Sequence, residues 1–300
     1  MSASFYVSGT RSSWSKQKVK NQAAQGKSIG ARLSRLAREK GFAYEKVLTD
    51  FLIERMVARL VGAPELRDHL VFKGGYVAPR VFRSPRFTID LDAIVHRLPA
   101  PHVIKLARDV IEGSDLHDGV WFRFEAQTEL ALQSEYGGTR LVFRTGLGIP
   151  LKDLKRAQII NFDVGTGDPV VPAPIDTLLS QVLLEGTISW RVYTPESIVS
   201  EKIHVLCQRG SGSSRSKDIF DLGFLIECCD GATLQQALRD TFAFRAEPLP
   251  LDLAETLRAV DRTTLRKGWA AAMTDITPTA DLDATFELFV SHLAEKLRAT

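Results

Sequence analysis

The chain has 300 residues, is 44% hydrophobic and 25% charged, and carries a net charge of +3. That composition suits a globular protein with ample core and excludes a disordered or polycationic chain. No apolar run approaches the roughly 18 residues of a membrane span, and the opening MSASFYVSGTRSSWSKQ lacks the apolar stretch of a secretory signal.

The first ten to fifteen residues read as loose, and a basic helix is expected over much of 17 to 39, ending near Gly41. Residues 11 to 40 hold nine Lys or Arg against one acid, Glu39. Such a segment suits a polyanion such as RNA, and equally a solvated helix face. A second helix is expected over 43 to 61, where Val47, Phe51, Leu52, Met56, Leu60 and Val61 recur at helical spacing. The apolar run Leu70 to Phe72 reads as a strand that ends at Lys73-Gly74-Gly75, with a short helix from Tyr76 to about Phe82. TIDLDAIV (88 to 95) alternates as a strand does. A helix over 102 to 112 and three strands, in VWFRFEAQTEL, TRLVFRTGL and AQIINFDVG, follow.

Past residue 170 the proline-rich PVVPAP reads as a connector, and the rest as mostly helical. Thr194-Pro195-Glu196 starts a helix to about Gln208, with Thr as N-cap and Pro in the first turn. GSGSSRS (210 to 216) reads as a loop and KDIFDLGFLIECC as a helix. The expected organisation is α+β: a basic arm over 1–40, a core over 41–185 and a helical domain over 186–300 that completes the active site. The three cysteines, Cys207, Cys228 and Cys229, form no CxxC or His-spaced pattern and point to a reducing cytoplasm.

The chemistry concentrates in a few blocks. Residues i and i+2 of a strand share a face, so Asp90 and Asp92 point one way, and Ile89, Leu91 and Ala93 the other. Paired carboxylates repel unless a cation lies between them, and hard Mg²⁺ prefers oxygen ligands. A solvent-facing edge strand would carry such acids too. The Gly74-Gly75 turn permits close backbone approach, and the helix after it offers free N–H groups to a phosphate. Asp163 ends an apolar strand and could add a third carboxylate, or cap a turn. Lys202 lies on an apolar stripe with Ile198, Val199, Val205 and Leu206, so it needs an anionic partner, a triphosphate or a carboxylate. Glu201 beside it reads as solvated. Asp218 and Asp221 share a helix face with Leu222 and Leu225, although Ser216 as N-cap would account for Asp218.

The blocks FKGG (72–75), RFTIDLD (86–92), INFDVGTGD (160–168), YTPESIVSEKIHVL (193–206) and RSKDIFDL (215–222) span roughly half the chain. On them the chain resembles the AbiEii/AbiGii-type nucleotidyltransferase toxins, which include the MenT-type toxins. The resemblance implies a polymerase-β-like nucleotidyltransferase core, a mixed sheet with flanking helices, followed by a helical lobe. It implies catalytic roles for Asp90, Asp92, Lys202 and Asp218, and nucleotide binding by Lys73, Gly74, Gly75, Lys202 and Asp221. Asp90, Asp92 and Asp163 would hold Mg²⁺, or Mn²⁺ in its place. The implied substrate is a nucleoside triphosphate, the acceptor tRNA or another RNA, and the partner a cognate antitoxin. Arg80, Arg83 and Arg86 near the turn could guide the RNA. Two positions depart from the family's text. Tyr76 stands where relatives carry a Ser or Thr that meets a phosphate, and Thr88 stands where Ser is common. Nucleotidyl or phosphoryl transfer to a protein such as the antitoxin is the alternative activity. A nucleotide-binding protein without turnover is the alternative of another class.

Overall fold

The computed structural model describes residues 16–130, 137–167, 170–209, 216–274 and 280–298. The opening residues, the loop at 210–215 with Arg215, and Asp168 lie outside them.

Two helices open the fold: α1 (Lys16–Lys40) and α2 (Tyr44–Gly62). Gln22, Ile29, Leu33 and Ala37 form the buried stripe of α1, while Lys20, Lys27, Arg32, Arg35, Arg38 and Lys40 are exposed. The spacing of 3.6 residues per turn thus separates an apolar seam from a basic face. Close packing fixes the helix in place. A Cβ on Gly26 would stand 2.2 Å from the backbone nitrogen of Gly148.

α2 is buried nearly all round, and its core positions include Glu54, Arg55 and Arg59. A charge so placed is tolerated only when paired. Arg59 donates to both oxygens of Asp118, at 2.8 and 3.0 Å, and to the Val120 carbonyl at 3.1 Å.

After α3 (Pro64–His69), too short for a periodic signal, come β1 (Leu70–Lys73), α4 (Gly74–Val81), β2 (Asp90–Val95) and α5 (Ala100–Gly113). The strands β3 (Val120–Glu129), β4 (Gly138–Leu147), β5 (Gln158–Thr166), β6 (Ile175–Ser180) and β7 (Thr187–Val192) complete the sheet. Among the described residues it has seven strands in the order β3-β4-β5-β2-β1-β7-β6. β2 runs parallel to β5 and antiparallel to β1, and β1 runs parallel to β7, so the sheet is mixed.

The reading of residues beyond 170 as mostly helical missed β6 and β7. In β6 (IDTLLS) Leu178 and Leu179 are adjacent and break period-2 alternation, and the strand lies at the sheet edge with Leu178 61% exposed, whereas β7 (TISWRV) alternates and was overlooked. The sheet therefore extends to Val192, and the helical half begins at α6 (Pro195–Arg209) rather than at residue 186. There α7 (Ser216–Leu225), α8 (Gly231–Phe244), α9 (Leu253–Arg258), α10 (Thr263–Ala272) and α11 (Leu282–Arg298) pack on one another, with α11 touching α7, α8 and α9. No described helix is long and apolar enough to cross a membrane. The architecture is α+β.

Candidate active site

The residues named from the sequence fall in two groups, one on the central strands and glycine turn and one on α6 and α7, linked by the Lys73–Glu201 and Arg86–Asp221 ion pairs. Register builds the first half of the site. In the central strands Lys73 stands opposite Asp92, Asp92 opposite Asp163, and Asp163 opposite Arg140. Asp90 and Asp92 are half-buried while Leu91 and Ala93 are in the core, as strand alternation requires. Ile89 departs from that expectation. The strand begins at Asp90, so Ile89 lies before it and is 61% exposed.

The three carboxylates are not equivalent. The Asp90 Oδ1 accepts from the Asn161 amide at 2.8 Å. Asp163 is gripped by Arg140, which donates from Nε and Nη2 at 2.7 Å each. Burial, then the Asp163 charge, pushes the Asp92 carboxyl up to about 7, against the opposing pull of Lys73 and Lys202. Among the described residues, no group of three or more His, Cys, Asp or Glu is arranged to hold a metal ion. The oxygens of Asp163 go to Arg140, and the open pair is Asp90 with Asp92.

The glycine turn serves this pair. Gly74 has φ +70°, in the left-handed region, and a Cβ there would stand 2.3 Å from the Asp92 Oδ2. At Gly75 a Cβ would meet the Arg86 Nη2 at 3.0 Å and the Thr88 hydroxyl at 3.1 Å. Tyr76 takes no part. It is 1% exposed, its ring edge-on to Trp190 at 6.0 Å and its hydroxyl 3.5 Å from the Asp50 carbonyl. The helix α4 turns that position into the core, so the hydroxyl over the glycines is that of Thr88, and Tyr76 gives no support to a protein without turnover.

The second half of the site comes from α6 and α7. Thr194 caps α6 as expected, accepting from the Ser197 N–H at 3.2 Å. Two turns into the helix, Lys202 makes an ion pair with Asp218 and lies 3.1 Å from Asp221. The fold itself supplies the carboxylate partner that the sequence allowed. Burial opposes the Lys202 charge, but Asp218 and Asp221 override it and hold the ammonium above its ordinary pKa. Asp221 is fully buried, and Arg86 donates to both its oxygens at 2.9 and 2.8 Å. Glu201 is not merely solvated. It accepts twice from Lys73, at 2.9 and 3.0 Å. Ser216 is the first residue of α7 rather than its N-cap, and its hydroxyl donates to the Leu265 carbonyl at 2.8 Å.

Two of the arginines proposed to guide RNA are engaged inside the fold. Arg80 reaches Asp50 at 2.7 Å and Glu54 at 2.9 Å, and Arg86 is 9% exposed on Asp221; only Arg83 is open to solvent. Sequence reasoning missed Arg140, Glu201 and the structural role of Arg86. A worked-out β4–β5 register would have found Arg140, since it faces Asp163 across the hairpin.

This is an α+β protein in which a sheet bearing Asp90, Asp92 and Asp163 beside a glycine turn meets a helical half bearing Lys202 among acids. The model of the family described as "Nucleotidyl transferase AbiEii toxin, Type IV TA system" matches residues 55–299. The chain belongs to this family of nucleotidyltransferase toxins, and the match takes in the C-terminal helices that the sequence blocks did not reach. Two crystal structures from Helicobacter pylori are similar at low identity. One is titled as a nucleotidyltransferase, with 17% identity, a TM-score of 0.47, and coverage of 86% of this chain and 97% of that one. The other, JHP933, shows 16% identity, a TM-score of 0.46, and coverage of 86% and 94%. No curated protein matches the chain.

Proposed function

We propose that the protein moves a nucleoside monophosphate from a nucleoside triphosphate to a hydroxyl of an RNA, the 3′ end of tRNA being the acceptor the family resemblance implies, and so blocks translation until a cognate antitoxin intervenes. The observation that carries this reading is the Asp90–Asp92 face beside Gly74, with Lys73 and Lys202 near enough to act on the Asp92 charge.

Mg²⁺, or Mn²⁺, would be held by Asp90 and Asp92. The donor set fits it: both are carboxylates on one face, among the described residues no cation is bonded to Asp92, and the absent side chain of Gly74 leaves room against its oxygen. When bound, such an ion lowers the pKa of the attacking hydroxyl and neutralises charge on the leaving pyrophosphate. The chain's own residues do the rest. The acceptor oxygen bonds to the α-phosphorus, the bond from that phosphorus to the bridging oxygen breaks, and the hydroxyl proton passes to the carboxylate face. Lys73 and Lys202 meet the phosphates by exchanging a carboxylate partner for a phosphate one. Asp218 and Asp221 aim Lys202, and Arg86 fixes Asp221. Positioning and fixed charge supply the rate enhancement.

The test is incubation with each labelled triphosphate, Mg²⁺ and total RNA. Label on tRNA supports the proposal. Label on protein would establish the alternative acceptor, and bound but unreacted nucleotide would remove the activity.

A further inference from the structure

A cavity behind the glycine turn is used by nothing above. Two hollows of about 260 and 270 Å³ share Lys40, Phe42, Asp50, Pro79, Arg80 and Phe87. One end reaches Arg86 and Thr88, the two side chains that overhang Gly75 in the active site. The other opens beside the end of α1 and residues 180–182.

Local structure builds its walls. Gly41 stops α1 with φ +71°, and the Phe42 N–H donates back to the Ala37 carbonyl at 2.9 Å, a left-handed helix stop. That stop lays Phe42 edge-on against Phe87, with ring centroids 4.9 Å apart and planes at 80°. Both rings are only half-buried. The inner charges are spoken for, since Arg80 bonds Asp50 and Glu54. Lys40 is exposed at the mouth, and Arg32, also exposed, donates to the Leu183 carbonyl beside the 180–182 end. Aromatic rings inside a cationic rim are what single-stranded nucleic acid selects, with bases stacked on rings and phosphates on the rim.

We propose that this cavity receives the unpaired 3′-terminal nucleotides of the acceptor, seating a base at Phe42 and Phe87 and leading the strand past Thr88 to Asp90 and Asp92. The proposal rests on the reading of the acceptor as RNA. Its test is separable from that reading because it needs no turnover. An eight-nucleotide RNA with 4-thiouridine next to its 3′ end is irradiated with the full-length protein, and the crosslinked residues are mapped by mass spectrometry. Affinity is followed by fluorescence anisotropy as salt is varied.

Crosslinks are expected at Phe42 or Phe87. Phe42→Ala should weaken binding by about 10-fold through lost stacking. Lys40→Ala, at an exposed position that leaves the core intact, should lower the salt slope by about 1. Triphosphate affinity should be unchanged in both variants. Crosslinks confined to other surfaces, or an unchanged salt slope in Lys40→Ala, would overturn the proposal and leave the cavity to a peptide ligand. Crosslinks in the cavity with no label reaching RNA in the transfer assay would keep the subsite and remove the acceptor assignment. Label on RNA with crosslinks elsewhere would do the reverse.

Discussion

The two halves of the site handle charge in opposite ways. On the helical side the account is closed: Lys202, with Arg86 reaching across from the segment before β2, faces Asp218 and Asp221, and every one of these groups has a partner within the cluster. On the sheet side it is open. Asp92 lies between Asp90 and Asp163, and the nearby cations are engaged elsewhere, Arg140 with Asp163 and Lys73 with Glu201. Unsatisfied negative charge is where a cation binds most favourably, whereas a self-neutralised cluster yields its lysine only in exchange for another anion. The sheet side is thus built to recruit, and the helical side to respond.

The largest effect should come from emptying either side. Asp90→Ala or Lys202→Ala should lower nucleotidyl transfer by at least ~10³-fold, because positioned charges of this kind carry most of the transition-state stabilisation. Circular dichroism should be unchanged, and growth arrest on expression should disappear. Full activity in Lys202→Ala would reduce the helical cluster to a structural clasp.

Stability should separate the halves next. Asp221→Ala strands Arg86, which is mostly buried, and leaves Lys202 with Asp218 alone; removing one partner from such a cluster costs about 3–5 kcal/mol. Asp163→Ala strands Arg140, whose side chain is 34% exposed and can turn to water. Its cost should stay below about 1 kcal/mol. Urea unfolding of the two variants side by side measures the contrast.

The pH dependence follows from Asp92. Its folded pKa, raised to about 7 by burial and by Asp163, lies above the ordinary aspartate value, so the native state holds a proton that the unfolded chain has released. The Asp92 contribution to stability therefore falls as pH rises from about 4 to about 7, by something on the order of 2 kcal/mol for a half-buried group. Asp92→Asn should flatten that fall. Mg²⁺ added at pH 8 should raise the melting temperature of the native protein and leave that of the variant unmoved. Equal stabilisation of both would place the ion elsewhere.

Much of this contrast was legible in the residues. Strand alternation put Asp90 and Asp92 on one face, and helical spacing put Lys202 on an apolar stripe where only a paired charge survives. What could not be read was pairing across the fold. Nothing in the local text around Glu201 says that it will meet Lys73, 128 positions away, or that Arg86 will cross to Asp221. Tyr76 misled because the residue after a glycine turn can face the ligand or the core, and only the packing of α4 against Trp190 decides which. The strand β6 was hidden because its adjacent leucines carry no period of their own, whereas β7 (TISWRV) does alternate and its signal was passed over.

The smallest predicted effect tests the glycine turn itself. Gly74 and Gly62 both lie at helix ends, but they differ in backbone conformation and in what surrounds them. Alanine at Gly74 must adopt φ near +70° with its methyl 2.3 Å from the Asp92 carboxylate. It should cost about 1–2 kcal/mol from backbone strain alone and lower activity as Asp92 is displaced. At Gly62 nothing lies within 4 Å of a Cβ, and alanine there should stabilise by about 0.5–1 kcal/mol through helix propensity, with activity intact. If both variants lost stability equally, glycine at position 74 would reflect chain flexibility rather than the close approach of the carboxylate, and the claim that the turn makes room at Asp92 would fail.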